Sequence, residues 1–161
     1  MDLLQRAREL YAAGRPHDAL EAAQAACDRA PKDPEAWALL GRVSRHAGLP
    51  AASDDAFLRA SRLSPRHRPP HRVSAARFRE IVAEAQVELT RDGRPGPTEK
   101  NLRVEPLPAV EDVRQGLDPD ALTAGGRTAA EPLILFQCNH ENRSSDDRAL
   151  RTLVRRSLSQ G

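Results

Sequence analysis

The sequence predicts a mainly α chain, α+β overall. Two antiparallel helix-hairpin repeats and a capping helix come first, then a small α+β region with two or three short strands and a C-terminal helix. Three observations predict this. The first half repeats itself at a period of 34 residues: Arg8, Gly14, Ala26 and Pro31 recur as Arg42, Gly48, Ala60 and Pro65. A fixed period of that size marks stacked structural units. Apolar residues there fall at helical spacing, with Leu3, Ala7, Leu10 and Tyr11 on one face and Trp37, Leu40, Gly41 and Ser44 on another. The second half instead holds two short runs of strand character, residues 101–105 and 133–137.

Each element has a local reason. Gly14 and Gly48 end the first helix of each repeat, where a left-handed residue costs glycine least, and Pro31 and Pro65 stop the second. Four helices follow, over residues 2–13, 17–30, 35–47 and 51–63. Small residues such as Ala19, Gly41 and Ala60 let paired helices approach closely. Phe78, Ile81, Val82, Ala85 and Leu89 form a further apolar stripe with Glu80, Glu84 and Glu88 off it, a helix that caps the stack or opens a second domain. Beyond it, Gly93, Pro95, Gly96 and Pro97 mark a loop. Residues 101–105 alternate as a strand, 109–131 read as polar loop, and 133–137 form a buried strand ending near Cys138. Ser144-Ser145-Asp146-Asp147 starts the last helix, with a Ser N-cap and acids in the first turn. Its apolar face is Leu150, Leu153, Val154 and Leu158. The domain organisation expected is 1–68 for the repeats, 69–98 for linker and capping helix, and 99–161 for the α+β region.

Composition narrows the function. With 161 residues, the chain holds one compact domain or two very small ones. No apolar run approaches the roughly 20 residues of a membrane span. The first residues, Met1-Asp2-Leu3-Leu4-Gln5-Arg6, lack the basic and apolar regions of a secretory leader. Cys27 and Cys138 give no disulfide framework, which points to a reducing compartment, the cytoplasm. Net charge is +2, but residues 66–79 carry five arginines and no acid. That stretch has no interleaved aromatics to stack on bases, so it reads as a solvated linker rather than a nucleic-acid contact.

The residues Trp37, Leu40, Gly41, Gly48, Phe57, Ala60 and Pro65, with Tyr11, Gly14, Ala19, Ala26 and Pro31 in the earlier copy, resemble the tetratricopeptide repeat pattern. The first copy departs from it at Arg6-Ala7 and the second at Ser53. The resemblance implies a groove, lined by the first helix of each repeat, that binds a protein or peptide partner. Its candidate residues are Arg8, Tyr11, Arg42, Arg45 and His46, and the arginines are suited to holding a carboxylate.

The second half resembles the minimal zincin-like metallopeptidases. The residues that carry this are Leu107-Pro108 with Glu111-Asp112, Gly116-Leu117-Asp118-Pro119 with Leu122, and Leu135-Phe136-Gln137 followed by Asn139 and Glu141. The family's last helix carries H-E-x-x-H, whose histidines bind zinc while the glutamate activates water. Counted from Asn139, the first two positions of that motif fall at Gln160 and Gly161, which offer neither ligand nor base. His140-Glu141-Asn142-Arg143-Ser144 puts serine where the second histidine belongs, and Cys138, His140 and Glu141 lie too close together in sequence for an unstrained tetrahedral site. The sequence therefore reads as a non-catalytic protein-interaction chain with no catalytic residues, metal or cofactor. The alternative is a C-terminally truncated zinc-dependent metallopeptidase, and only that reading involves zinc. Partner identity and oligomeric state are not written in the sequence.

Overall fold

The computed structural model describes residues 2–94 and 96–160. Met1, Pro95 and Gly161 lie outside the described residues, as do the expectations placed on them: the start of the leader reading, one loop mark, and the second position of the zinc pattern. The chain is mainly α with an α+β part, and divides into two compact units. One takes in residues up to Pro69 together with Ala109–Asp120; the other takes in Pro70–Pro108 and the residues from Ala121 onward.

The first unit begins with four helices, α1 (Leu3–Ala12), α2 (Pro16–Arg29), α3 (Pro34–His46) and α4 (Pro50–Leu63). Asp2 and Asp33 cap α1 and α3 by accepting backbone N–H groups, while α2 and α4 open on proline, whose missing N–H costs nothing there. The 34-residue period is visible in the turns. Gly14 and Gly48 both have positive φ, +73° and +80°. The following residues, Arg15 and Leu49, donate back to Leu10 and Ser44 at 3.0 and 2.9 Å. With few large side chains available, the core uses closeness: Ala7, Ala19, Ala22, Ala23, Ala26, Ala36 and Ala56 are buried with Leu39, Leu40 and Val43. A Cβ on Gly41 would sit 2.9 Å from the Phe57 ring. Ser53, a departure from the repeat pattern, is fully buried, and its hydroxyl donates to the Gly41 carbonyl at 2.6 Å. The hydroxyl thereby avoids the penalty of an unmet buried donor.

The second unit contains α5 (Ala75–Arg91), β1 (Leu102–Glu105), β2 (Thr123–Gly125), β3 (Leu133–Phe136), α7 (Gln137–Asn142) and α8 (Asp147–Ser159). Strand β3 is central, parallel to β1 and antiparallel to β2. Phe78, Ile81, Val82, Ala85 and Leu89 of α5 bury against Leu133 and Leu135 of β3 and Leu150, Val154 and Leu158 of α8. The stripe read in the sequence thus forms half of this core. The off-stripe acids are used as well: Glu84 pairs with Arg151, and Glu88 with Arg155 at 2.9 Å.

Three readings of the second half change. The expected loop over 109–131 contains a short helix, α6 (Val110–Arg114), and strand β2, both too short for periodicity to reveal. The apolar strand stops at Phe136, and the next six residues form α7. The last helix is capped by Asp146, whose carboxylate accepts from the Ala149 N–H at 2.7 Å, rather than by a serine. Ser144 is buried instead, donating to the His140 carbonyl at 2.8 Å.

Helix α7 buries two ionisable side chains. Glu141 accepts from Arg72 Nη1 at 3.2 Å, Val73 N at 3.0 Å and Gln137 Nε2 at 3.1 Å. His140 is fully buried, with Nδ1 2.7 Å from the Phe136 carbonyl and Nε2 2.9 Å from Ser157 Oγ. Burial lowers its pKa to about 4, opposed by the hydrogen bond to Phe136. Between that value and the ordinary one near 6.5, only the unfolded chain takes up the proton, so stability falls as pH falls. We expect about 2 kcal/mol of the second unit's stability to be lost between pH 7 and pH 5. Urea unfolding across that range checks it, and His140→Gln should remove the slope; an equal slope in the variant would contradict the assignment.

Candidate functional site

The first helices of the two repeats present Tyr11 on α1, and Arg42 and His46 on α3. These three lie together around a carboxylate of the same chain, Asp120. Tyr11 Oη donates to Asp120 Oδ1 at 2.7 Å, and Arg42 Nη1 donates to Asp120 Oδ2 at 2.6 Å. His46 sits edge-on to the Tyr11 ring, centroids 5.1 Å apart and planes at 84°, and its ring bonds to the backbone of Pro119. Arg42 also lies 5.9 Å from the Tyr11 centroid.

The electrostatics suit a carboxylate. Tyr11 is 5% exposed, and burial, reinforced by the charge and hydrogen bond of Asp120, pushes its pKa far up. It stays a donor at any ordinary pH. Burial lowers the pKa of His46 more than Asp120 raises it, so the imidazole is neutral at pH 7. Arg42 supplies a positive charge in contact with Asp120, through a charge-assisted bond. Arg8 and Arg45 do not join it: Arg8 is exposed on α1 and Arg45 half-buried on α3, and neither makes an ion pair among the described residues.

The segment that delivers Asp120 is ordered by its own short-range bonds. Helix α6 buries Val113, and after it Gln115 and Leu117 donate back to Asp112. Asp118 Oδ1 accepts the Asp120 N–H at 2.8 Å, closing a turn that aims the carboxylate. Helix α6 meets the end of α1 at Gly14, where Arg114 Nε donates to the Gly14 carbonyl at 3.1 Å. A Cβ on Gly14 would fall 2.7 Å from Arg114 Cγ and 3.1 Å from its backbone nitrogen. Gly14 is therefore required both for its conformation and for its bareness.

Sequence reasoning missed Asp120. It lay in a stretch read as polar loop, and the separation of 109 residues from Tyr11 leaves no periodic trace. The only signal was composition, two aspartates flanking Pro119 in one chain whose first half offered unpaired arginines. A concavity of about 820 Å³, lined by residues of α2, α3 and α4 such as Leu20, Glu21, Asp28, Leu40 and Asp55, holds none of the expected groove residues. Among the described residues, no three His, Cys, Asp or Glu side chains come together so as to hold a metal ion.

Gly14 and Gly48 give a controlled comparison, since a Cβ on Gly48 meets nothing within 4 Å. Gly48→Ala should cost about 1 kcal/mol for the left-handed backbone alone. Gly14→Ala should cost at least twice that and accelerate amide exchange over residues 110–117. Equal costs, with exchange unchanged, would show that α6 does not pack on Gly14.

The tetratricopeptide repeat family model matches residues 2–43, which cover α1, α2 and most of α3. No curated protein and no solved structure matches the chain. The match supports a tetratricopeptide-type module in the first unit, and with it a role in protein–protein interaction.

Proposed function

We propose that the chain is a non-catalytic interaction protein whose α1–α3 face binds a peptide segment of a protein partner through a carboxylate. Tyr11 and Arg42 grip the carboxylate, His46 packs beside it, and Arg8 and Arg45 extend the positive surface along the same two helices. The observation that carries this reading is Asp120, held at 2.7 and 2.6 Å by a buried phenol and a guanidinium, the arrangement an incoming aspartate would meet. The repeat match over residues 2–43 supports the interaction role independently.

For the second unit we propose a zincin-like scaffold without catalytic chemistry. Its support is the sequence resemblance carried by Leu107-Pro108, Gly116-Leu117-Asp118-Pro119 and Leu135-Phe136-Gln137. Cys138, His140 and Glu141 do not fit a zinc ion: both ring nitrogens of His140 and both oxygens of Glu141 are already engaged in hydrogen bonds inside the unit. The zinc-peptidase alternative would need ligands that these residues do not supply.

A capped synthetic peptide with the sequence of residues 115–122, titrated by fluorescence anisotropy into the full chain carrying Asp120→Ala, so that the resident carboxylate does not compete, tests the first proposal. In that background Arg42→Gln and Tyr11→Phe should each weaken binding about tenfold, in line with the loss of one hydrogen bond to a charged group, roughly 1.5 kcal/mol. Binding that is unchanged in both variants would contradict the assignment.

A further inference from the structure

The face that holds Asp120 is incompletely satisfied. His46 lies against the Pro119 backbone, and its Nε2 is buried with no hydrogen-bond partner. Arg45 follows Arg42 by three residues on α3, and Arg8 precedes Tyr11 by three on α1; neither makes an ion pair among the described residues. The occupant is held lightly. The Arg42 and Asp120 side chains retain 32% and 22% exposure, so water competes for both ends of the pair. The turn offers this face one carboxylate and one buried proline.

We propose, building on the interaction reading above, that the turn ending in Asp120 is a tethered stand-in for the partner, and that the partner is an aspartate-bearing turn of another protein that displaces it. The competitor wins by making contacts that the stand-in does not. Its aspartate takes the place of Asp120 between Tyr11 and Arg42, and a turn carbonyl takes the place of Pro119 on His46. A hydrogen-bonding group meets His46 Nε2, and a second acid pairs with Arg45 or Arg8. Charge complementarity selects this class of partner. The site provides an arginine at its centre and two more on its flanks, and the one ligand it is seen to hold is acidic.

The tether sets the threshold. A segment attached to its own site competes at an effective concentration in the millimolar range, so a free peptide of about 0.1 mM intrinsic affinity should bind roughly tenfold more weakly than it would to a vacant face. Removing the carboxylate removes the competitor while leaving the groove residues in place.

The test compares the full-length wild type, Asp120→Ala, and Asp120→Ala combined with Arg42→Gln, each titrated with the capped peptide of residues 115–122. Circular dichroism reports the helical content of each. Asp120→Ala should bind about tenfold more tightly than wild type, and Arg42→Gln in that background should abolish the gain. If Asp120→Ala binds no more tightly while Arg42→Gln still weakens binding, the stand-in is overturned and the interaction face survives. If no variant binds, including Asp120→Ala with native helical content, both readings fall. Should Asp120→Ala lose its helical signal, Asp120→Asn keeps the shape and removes the charge, and the same outcomes apply.

Discussion

One carboxylate organises the face of the repeat module. Tyr11 is buried, and a buried hydroxyl without an acceptor costs on the order of 1–3 kcal/mol, so something must accept its proton. Arg42, on the next repeat, needs an anion for the same reason, less acutely because it is partly solvated. Asp120 answers both at once, joining α1 and α3 through one side chain. From that follow the position of Pro119 against His46, the turn closed by Asp118, and the seat of α6 on Gly14. A hydrophobic plug would leave Tyr11 Oη unmet, which is why the segment is acidic.

The two units bury their cores by different means. The first relies on alanine, and on glycine at the closest approach, so its helices lie near one another and large side chains are few. Phe57 packs directly on Gly41, where a Cβ would sit 2.9 Å from its ring. The second unit relies on Phe78, leucines and valines around a three-stranded sheet, with α5 and α8 laced along their rims by Arg77, Arg151 and Arg155 to acids of the facing helix. Those rim pairs are half-exposed and individually modest; they set the register of the helices more than their stability. The buried polar pair at α7, His140 and Glu141, is the more consequential element, because each would be costly to strand.

Legibility followed periodicity. The four repeat helices, α5 and α8 announce themselves by apolar stripes and by glycine and proline at fixed offsets, and the structure places them within a residue or two of the expected bounds. Helix α6, strand β2 and helix α7 have three to six residues each, shorter than the period needed to see them. The N-cap at Asp146 was missed because serine and aspartate are equally good caps and adjacent in the chain. At the site, Tyr11, Arg42 and His46 were found because the repeat assigns them to one face. Arg8 and Arg45 are placed on the same face by the repeat, while Tyr11 and Arg42 bond to the Asp120 carboxylate. Asp120 itself was invisible, because a contact closed by tertiary folding leaves no local pattern.

The central claim is that the bond between Arg42 and Asp120 is energetically real and specific. A double-mutant cycle of Arg42→Gln and Asp120→Asn, read by urea unfolding at pH 7, measures it most directly. The account predicts a coupling of about 1 kcal/mol, as befits a partly exposed pair shared with a buried phenol. Single effects that add to within about 0.3 kcal/mol would contradict it.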